Sequence, residues 1–299
     1  MRILLTGVTG QVGRALWQPL AEFGTVIAAD RAALDLSQPG SIERALDEVR
    51  PQLIVNPAAY TAVDLAEDER DLAFRINAEA PAALAAWAAG RGVPLVHFST
   101  DYVFDGTGEN PWREQDEPSP LSVYGASKLA GERAIARTGC PHLIVRTSWV
   151  YAVDGKNFLR TIARLARERQ ELRIVADQFG APTSARIIAG AVTGILRKQL
   201  AGQAPFVGGG GIVNVSAAGT TSWHGFATAI VEGLKARGVP VVAERVIPIA
   251  TSDFPTKARR PLNSRLDHGR LNAVFDVTMP DWQVALAEEL DGFVSMVAA

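Results

Sequence analysis

Short apolar runs alternate with amphipathic stretches through the first half of the chain. Arg2–Thr6, Thr25–Ala29, Leu53–Asn56 and Leu95–Ser99 are brief and rich in Val, Ile and Leu, as strands covered on both faces are. Between them the pattern changes period. A helical stretch follows Gly13 and runs through Phe23. Ser41–Arg50 reads as an amphipathic helix with Ser41 or Gly40 as its cap. An acidic connection, Glu67–Asp71, leads to a helix whose best stretch is Ala78–Gly90. Strand and helix in alternation imply right-handed crossovers and a doubly wound parallel α/β sheet. In such sheets ligands bind beyond the carboxyl ends of the strands. Gly10, Asp30, Ala59 and Thr100 all fall at those ends.

The first strand-to-helix turn reads Gly7-Val8-Thr9-Gly10-Gln11-Val12-Gly13. The first glycine allows a tight turn, the second lets backbone N–H groups approach a phosphate, and the third permits close helix–strand packing. A pyrophosphate would sit at the helix N-terminus, where free N–H groups and the helix dipole favour an anion. Asp30 closes the second strand, where a carboxylate commonly binds the adenosine ribose and favours NAD. The adjacent Arg31 could meet a 2′-phosphate, so NADP is also admissible, and an ordinary loop ion pair is the plainer alternative. Asp35, within Leu34-Asp35-Leu36, could reach the adenine amino group. The small residues of Pro57-Ala58-Ala59-Tyr60-Thr61 would let that loop run along a cofactor.

Thr100 ends the fourth strand, and Tyr124 and Lys128 lie four residues apart further on. On a helix that spacing puts both side chains on one face. A tyrosine hydroxyl titrates near ~10, and an ammonium within a few ångström lowers that value. The pair could therefore relay a proton, with Thr100 holding the reacting oxygen. The same spacing also describes an ordinary solvated helix face. His97 reads as a satisfied core histidine or one that supports the site from behind, and Tyr102 as core or pocket.

Composition narrows the class. The chain has 299 residues, 47% hydrophobic and 21% charged, ordinary globular values. Thirty basic and 32 acidic residues give a net charge of −2, which offers nothing to nucleic acid or an anionic membrane. One cysteine, Cys140, excludes an intrachain disulfide. The N-terminus runs directly into the first strand without a leader-like segment, and no apolar stretch is long enough to span a bilayer. A soluble cytoplasmic protein is the expectation. His142, His224 and His268 lack metal-ligand spacing with one another or with Cys140.

Beyond Ala152 the pattern loosens. Asn157–Gln170 is a helix with Phe158, Ile162, Leu165 and Ala166 on its apolar side, followed by a short strand at Leu172–Val175. Ile187–Leu200 and Ser222–Ala236 are helical, and the glycine run at 208–211 reads as a flexible turn. Pro255–Leu266 carries Arg259, Arg260 and Arg265, which suit diphosphate contact or closure over a substrate, or simply make a solvated basic loop. The expected division is a dinucleotide-binding domain of residues 1–151 and about 185–225. Residues 152–184 and about 226–299 would form a smaller, discontinuous α/β substrate domain.

Several blocks together resemble the extended short-chain dehydrogenase/reductase superfamily and, within it, the dTDP-4-dehydrorhamnose reductases. They are Gly7–Gly13, Asn56–Asp64, Ser99–Gly106, Ser119–Glu132, Arg146–Tyr151, Asp177–Thr183, Thr221–His224 and Arg260–Leu266. The resemblance implies a Rossmann-type sheet and an NADPH-dependent reductase (NADH possible) acting on a nucleotide-linked 4-keto sugar. Tyr124 would be the proton donor, Lys128 would bind the nicotinamide ribose, and Thr100 would hydrogen-bond the keto oxygen. Gly7, Gly10, Gln11, Val12, Gly13, Asp30, Arg31, Asp35, Leu36, Ala59, Tyr60 and Thr61 would line the dinucleotide. Asp101, Tyr102, Trp149 and Arg260 would contact the sugar nucleotide. Some family members form dimers bridged by magnesium through glutamates; this chain has Ala15 and Arg186 at two such positions, so no metal is expected, and a monomer or homodimer is. An epimerase or dehydratase on the same scaffold, or a non-catalytic subunit like that of methionine adenosyltransferase, are the alternatives. Thr100 and Trp149 argue for the reductase.

Overall fold

The computed structural model describes residues 1–202, 206 and 211–298. Its centre is a six-stranded, all-parallel sheet. Five strands come from the first half: β1 (Arg2–Leu5), β2 (Thr25–Ala28), β3 (Leu53–Asn56), β4 (Leu95–Thr100) and β5 (His142–Thr147). The Gly211–Asn214 strand joins at the edge beside β5, and the order runs from it through β5, β4, β3 and β1 to β2. The progression reverses between β1 and β3, and a crevice opens there beyond the strand ends.

The unbroken apolar character of these strands follows from helices covering both faces. Ile3, Leu5, Leu53, Val55, Val96, Phe98, Leu143 and Val145 point to one side. There they meet Leu16 and Leu20 of α1 (Gln11–Leu20) and Ile188, Val192 and Ile195 of α7 (Ala185–Leu200). Leu4, Ile54, Leu95 and Ile144 point to the other side. They meet Ile42 and Leu46 of α2 (Ile42–Val49) and Leu84 and Ala88 of α4 (Ala80–Ala89). The period of two along each strand thus divides one apolar run between two cores.

The expected helix at Ala78–Gly90 begins differently. A short α3 (Arg70–Phe74) passes through a π-helical turn, Arg75–Glu79, before α4 starts. The extra residue in that turn places Asn77 inside the protein. Tyr124 and Lys128 lie in α5 (Val123–Thr138) as their spacing predicts. Ser122 caps this helix by accepting from the Gly125 N–H at 3.2 Å, and Glu67 accepts from Val123 N–H at 2.9 Å.

The second half packs α6 (Phe158–Glu168) and the Trp223–Ala236 helix against a parallel pair of strands, Glu171–Val175 and Arg245–Ile249. Their buried faces, through Leu159, Ile162, Phe226 and Ile230, continue the core under α1 and α7. Of the predicted glycine turn, residues 208–210 lie outside the described residues, and Gly211 opens a strand.

Candidate active site

The crevice is a cleft of about 880 Å³. Its floor is the carboxyl ends of the parallel strands, and one wall is the glycine turn. Gly7 has φ +58°. A Cβ on Gly13 would lie 2.1 Å from the Gly7 carbonyl oxygen, so only glycine lets α1 start this close to β1. The cradle fits a dinucleotide pyrophosphate: backbone approaches the cleft without side chains, and the first turn of α1 points its N–H groups into it. Three buried hydroxyls on the floor, Ser99, Thr147 and Ser148, have no hydrogen-bond partner among the described residues.

Every residue expected to bind cofactor lines this cleft. Asp30 turns its carboxylate back on its own loop, accepting from the N–H groups of Ala32 and Ala33 at 3.0 and 2.9 Å. Arg31 stands out into solvent, 3.5 Å from Asp35. Hydrogen bonds from Ser37 hold Asp35 below the usual carboxylate range. The Tyr60 loop is pinned by Asn77, which accepts from Tyr60 N–H at 2.8 Å and donates to the Tyr60 carbonyl at 3.0 Å. Asn77 also donates to Ser127 on α5, so the π-turn ties the cofactor loop to the catalytic helix. The Tyr60 hydroxyl donates to Glu69, and burial with that carboxylate pushes the phenol up to about 12.

At the inner end Tyr124 is half-buried, and its phenol lies beside the Thr100 side chain. Thr100 donates to Asp101 at 3.0 Å and accepts from Tyr102 N–H at 3.2 Å. Asp101 is buried, and burial raises its carboxyl to about 6 although Ser264 and Thr100 beside it pull the other way. The Tyr102 ring meets Tyr124 edge-on, centroids 5.6 Å apart, so Tyr102 is a pocket residue. Trp149 closes the opposite side in a left-handed conformation, φ +49°. Trp223 stacks on it at 3.7 Å, and Gly180 cradles its edge, where a Cβ would lie 2.8 Å from the indole. Arg260 stands one layer out, behind Tyr102 and bonded to Asp64 at 2.6 Å, rather than among the lining side chains.

A sequence model described as "RmlD substrate binding domain" matches residues 1–295. The chain belongs to this family. A dTDP-4-dehydrorhamnose reductase of Burkholderia thailandensis is 47% identical over 288 residues, 96% of this chain and 97% of that protein. Among solved structures, the dTDP-4-dehydrorhamnose reductase of Clostridium acetobutylicum superposes with a TM-score of 0.89 at 36% identity. That match covers 98% of this chain and all of the other. The Bacillus anthracis enzyme of the same name, solved with NADP, gives 0.87 at 35% identity over 97% of this chain and 99% of its own.

One expectation for this family site needs correcting. The Lys128 ammonium is not spent on lowering Tyr124. It donates to the Phe98 carbonyl at 2.5 Å and faces His97 Nε2 at 3.2 Å, so the β4 wall holds it. Desolvation therefore governs both groups: it raises the Tyr124 phenol well above its ordinary value, against the neighbouring Thr100 hydroxyl, and lowers Lys128 to about 8. Sequence reasoning assigned no role to Trp223, Asn77 or the unpartnered floor hydroxyls. The Thr221–His224 block carried the only signal for Trp223. Arg186 forms ion pairs with Glu288 and, at 3.4 Å, with Glu289. Among the described residues no cluster could hold a metal ion, and no helix is long and apolar enough to cross a membrane.

Proposed function

We propose that this chain reduces the C4 keto group of dTDP-4-dehydro-L-rhamnose to dTDP-L-rhamnose with NADPH. The observation that carries the reading is the Tyr124 and Thr100 side chains lying together in a cleft that the glycine turn also lines. NADPH supplies the hydride when bound; the relative solved with NADP supports that choice. Gly7, Gly10, Gln11, Val12 and Gly13 hold the pyrophosphate, Asp30, Arg31, Asp35 and Leu36 the adenosine end, and Ala59, Tyr60, Thr61 and Lys128 the remainder.

Tyr124 gives its proton to the keto oxygen as negative charge develops there. Its raised affinity for the proton keeps it in the acid form at neutral pH, so the donor is always loaded. Thr100 turns its hydroxyl from Asp101 to that oxygen and fixes the direction of attack. The Lys128 ammonium, held against the β4 wall, takes the nicotinamide ribose. Asp101, Tyr102 and Trp149 hold the sugar nucleotide, and Arg260 acts from behind Tyr102. Residues 1–151 and about 185–225 form the dinucleotide-binding part: the Gly211–Asn214 strand extends its sheet and α7 packs on α1. Residues 152–184 and about 226–299 take the sugar nucleotide. The enzyme works in the cytoplasm, as a monomer or homodimer.

The test mixes purified protein, NADPH and dTDP-4-dehydro-6-deoxy-L-mannose and follows absorbance of the reduced cofactor. One NADPH should be oxidised per sugar reduced. Sugar turnover without net loss of NADPH would mean an epimerase or dehydratase instead.

A further inference from the structure

Behind Lys128 lies a row of buried polar side chains that the reduction step does not itself use. Lys128 Nζ faces His97 Nε2 at 3.2 Å. His97 Nδ1 faces the Asn56 amide nitrogen at 3.0 Å. The Asn56 amide oxygen accepts from the Thr6 hydroxyl at 2.6 Å, and that hydroxyl accepts from Ala58 N–H at 3.4 Å. Exposures are 2% for Thr6, 0% for Asn56 and His97, and 1% for Lys128. The row crosses β1, β3 and β4, from the residue before Gly7 to the amine expected to hold the cofactor ribose. No water can substitute for a lost partner at that depth without opening the sheet, so each donor must meet an acceptor.

Two arrangements serve the Lys128 end of the row; the second takes from the Thr6 hydroxyl proton the acceptor it has in the first. With the Asn56 amide as it stands, its nitrogen donates to His97 Nδ1. A neutral ring then carries its proton on Nε2, and Lys128 must accept as an uncharged amine. With the amide turned over, Nδ1–H donates to Asn56 oxygen, Nε2 accepts from the Lys128 ammonium, and the Asn56 nitrogen donates to Thr6. The ring is neutral in both, and the two differ by the one proton on Lys128. Burial, with the Lys128 charge alongside, holds His97 well below its ordinary value, which keeps the ring neutral.

Resting on the reading of Lys128 as the cofactor-binding amine, we propose that His97 is its positioning residue. His97 fixes the amine against the Phe98 carbonyl, and its tautomer follows the charge on Lys128, so the row reaching Thr6 reverses direction when that proton leaves or returns. Other titratable groups near Lys128 are already committed. Glu132, one turn along α5, is paired with Arg146 of β5. Tyr124 lies beside Thr100, Asp101 accepts from Thr100, and Glu67 caps Val123. His97 is the neighbour left to answer the amine.

The test compares wild type, His97→Gln and His97→Leu for NADPH affinity and for kcat/KM against pH. His97→Leu should weaken NADPH binding ~10-fold and move the alkaline limb of kcat/KM down by ~1 pH unit, because the ammonium loses an acceptor. His97→Gln, which keeps an acceptor, should recover most of both. Because His97→Leu strands two buried groups and can fail to fold, the ring nitrogens of wild type are also followed by NMR; four histidines make assignment simple. His97 should carry its proton on Nδ1 at neutral pH and on Nε2 once Lys128 has titrated. A single tautomer throughout that titration, or an unmoved limb and NADPH affinity in a folded His97→Leu, would overturn the proposal. A wild type that turns over the sugar while either result holds would leave the reductase reading intact; a wild type without turnover would sink that reading and leave the NMR result to stand alone.

Discussion

Replacing Glu132 by alanine should cost about 3 kcal/mol of folding stability, at the low end of the range for breaking a buried ion pair. Glu132 and Arg146 are both buried, their side chains 3% and 1% exposed. Glu132 accepts from Arg146 Nε at 2.9 Å and from Nη2 at 2.6 Å, a two-point pairing of carboxylate and guanidinium. The variant leaves the guanidinium charged inside the protein. Two partners soften the loss: the Glu114 carbonyl accepts from Nη1 at 3.3 Å, and the Phe104 ring lies 4.9 Å away. With an unfolding entropy of about 2.1 cal/mol/K per residue, about 0.6 kcal/mol/K for a chain of this length, that loss lowers Tm by about 5 °C. Urea unfolding followed by circular dichroism measures it. The double variant Glu132→Leu with Arg146→Met should recover most of the loss, because the cost lies in the stranded charge and not in the missing pair. A single variant within about 1 kcal/mol of wild type, or a double variant as unstable as the sum of both singles, would refute the reasoning.

The remaining predictions concern the cleft. Asp30→Ala should weaken NADH more than NADPH in fluorescence titrations if the carboxylate holds the 2′-hydroxyl; equal losses would trace to the turn that Asp30 also closes. Asp101 is raised from about 3.8 to about 6 by burial. The folded state therefore binds its proton more tightly than the unfolded state between those values, and stability is lost as pH rises through them. Asp101→Asn should gain up to about 3 kcal/mol on wild type between pH 4 and pH 7, and parallel stability–pH curves would contradict it. Gly180→Ala drives a methyl into the Trp149 indole and should raise KM for the sugar nucleotide while leaving NADPH affinity unchanged. An unchanged KM would show that Trp149 does not contact the sugar.

Where the sequence reading succeeded, the cause is local. Gly7 to Gly13 needs no distant partner to make its turn, and Tyr124 and Lys128 share a face because four residues make just over one helical turn. The direction in which Lys128 points is another matter. His97 and Phe98 belong to β4, and the strand pairing that brings them under α5 leaves no mark on Y-x-x-x-K. Asn77 was hidden for the same reason: one extra residue in a turn of helix aims it inward, and its partners are 17 and 50 residues away. Trp223 meets Trp149 only because the Thr221–Ser222 strand pairs with Phe179–Gly180. Contacts of long sequence separation between unlike elements carry no periodic signal.

The most direct measurement is steady-state turnover and NADPH binding in Tyr124→Phe, which deletes one hydroxyl and keeps the ring edge against Tyr102. With Tyr124 as proton donor, kcat should fall by ~10²-fold or more while the dissociation constant for NADPH stays that of wild type. Turnover close to wild type would remove Tyr124 from the reaction and contradict the account.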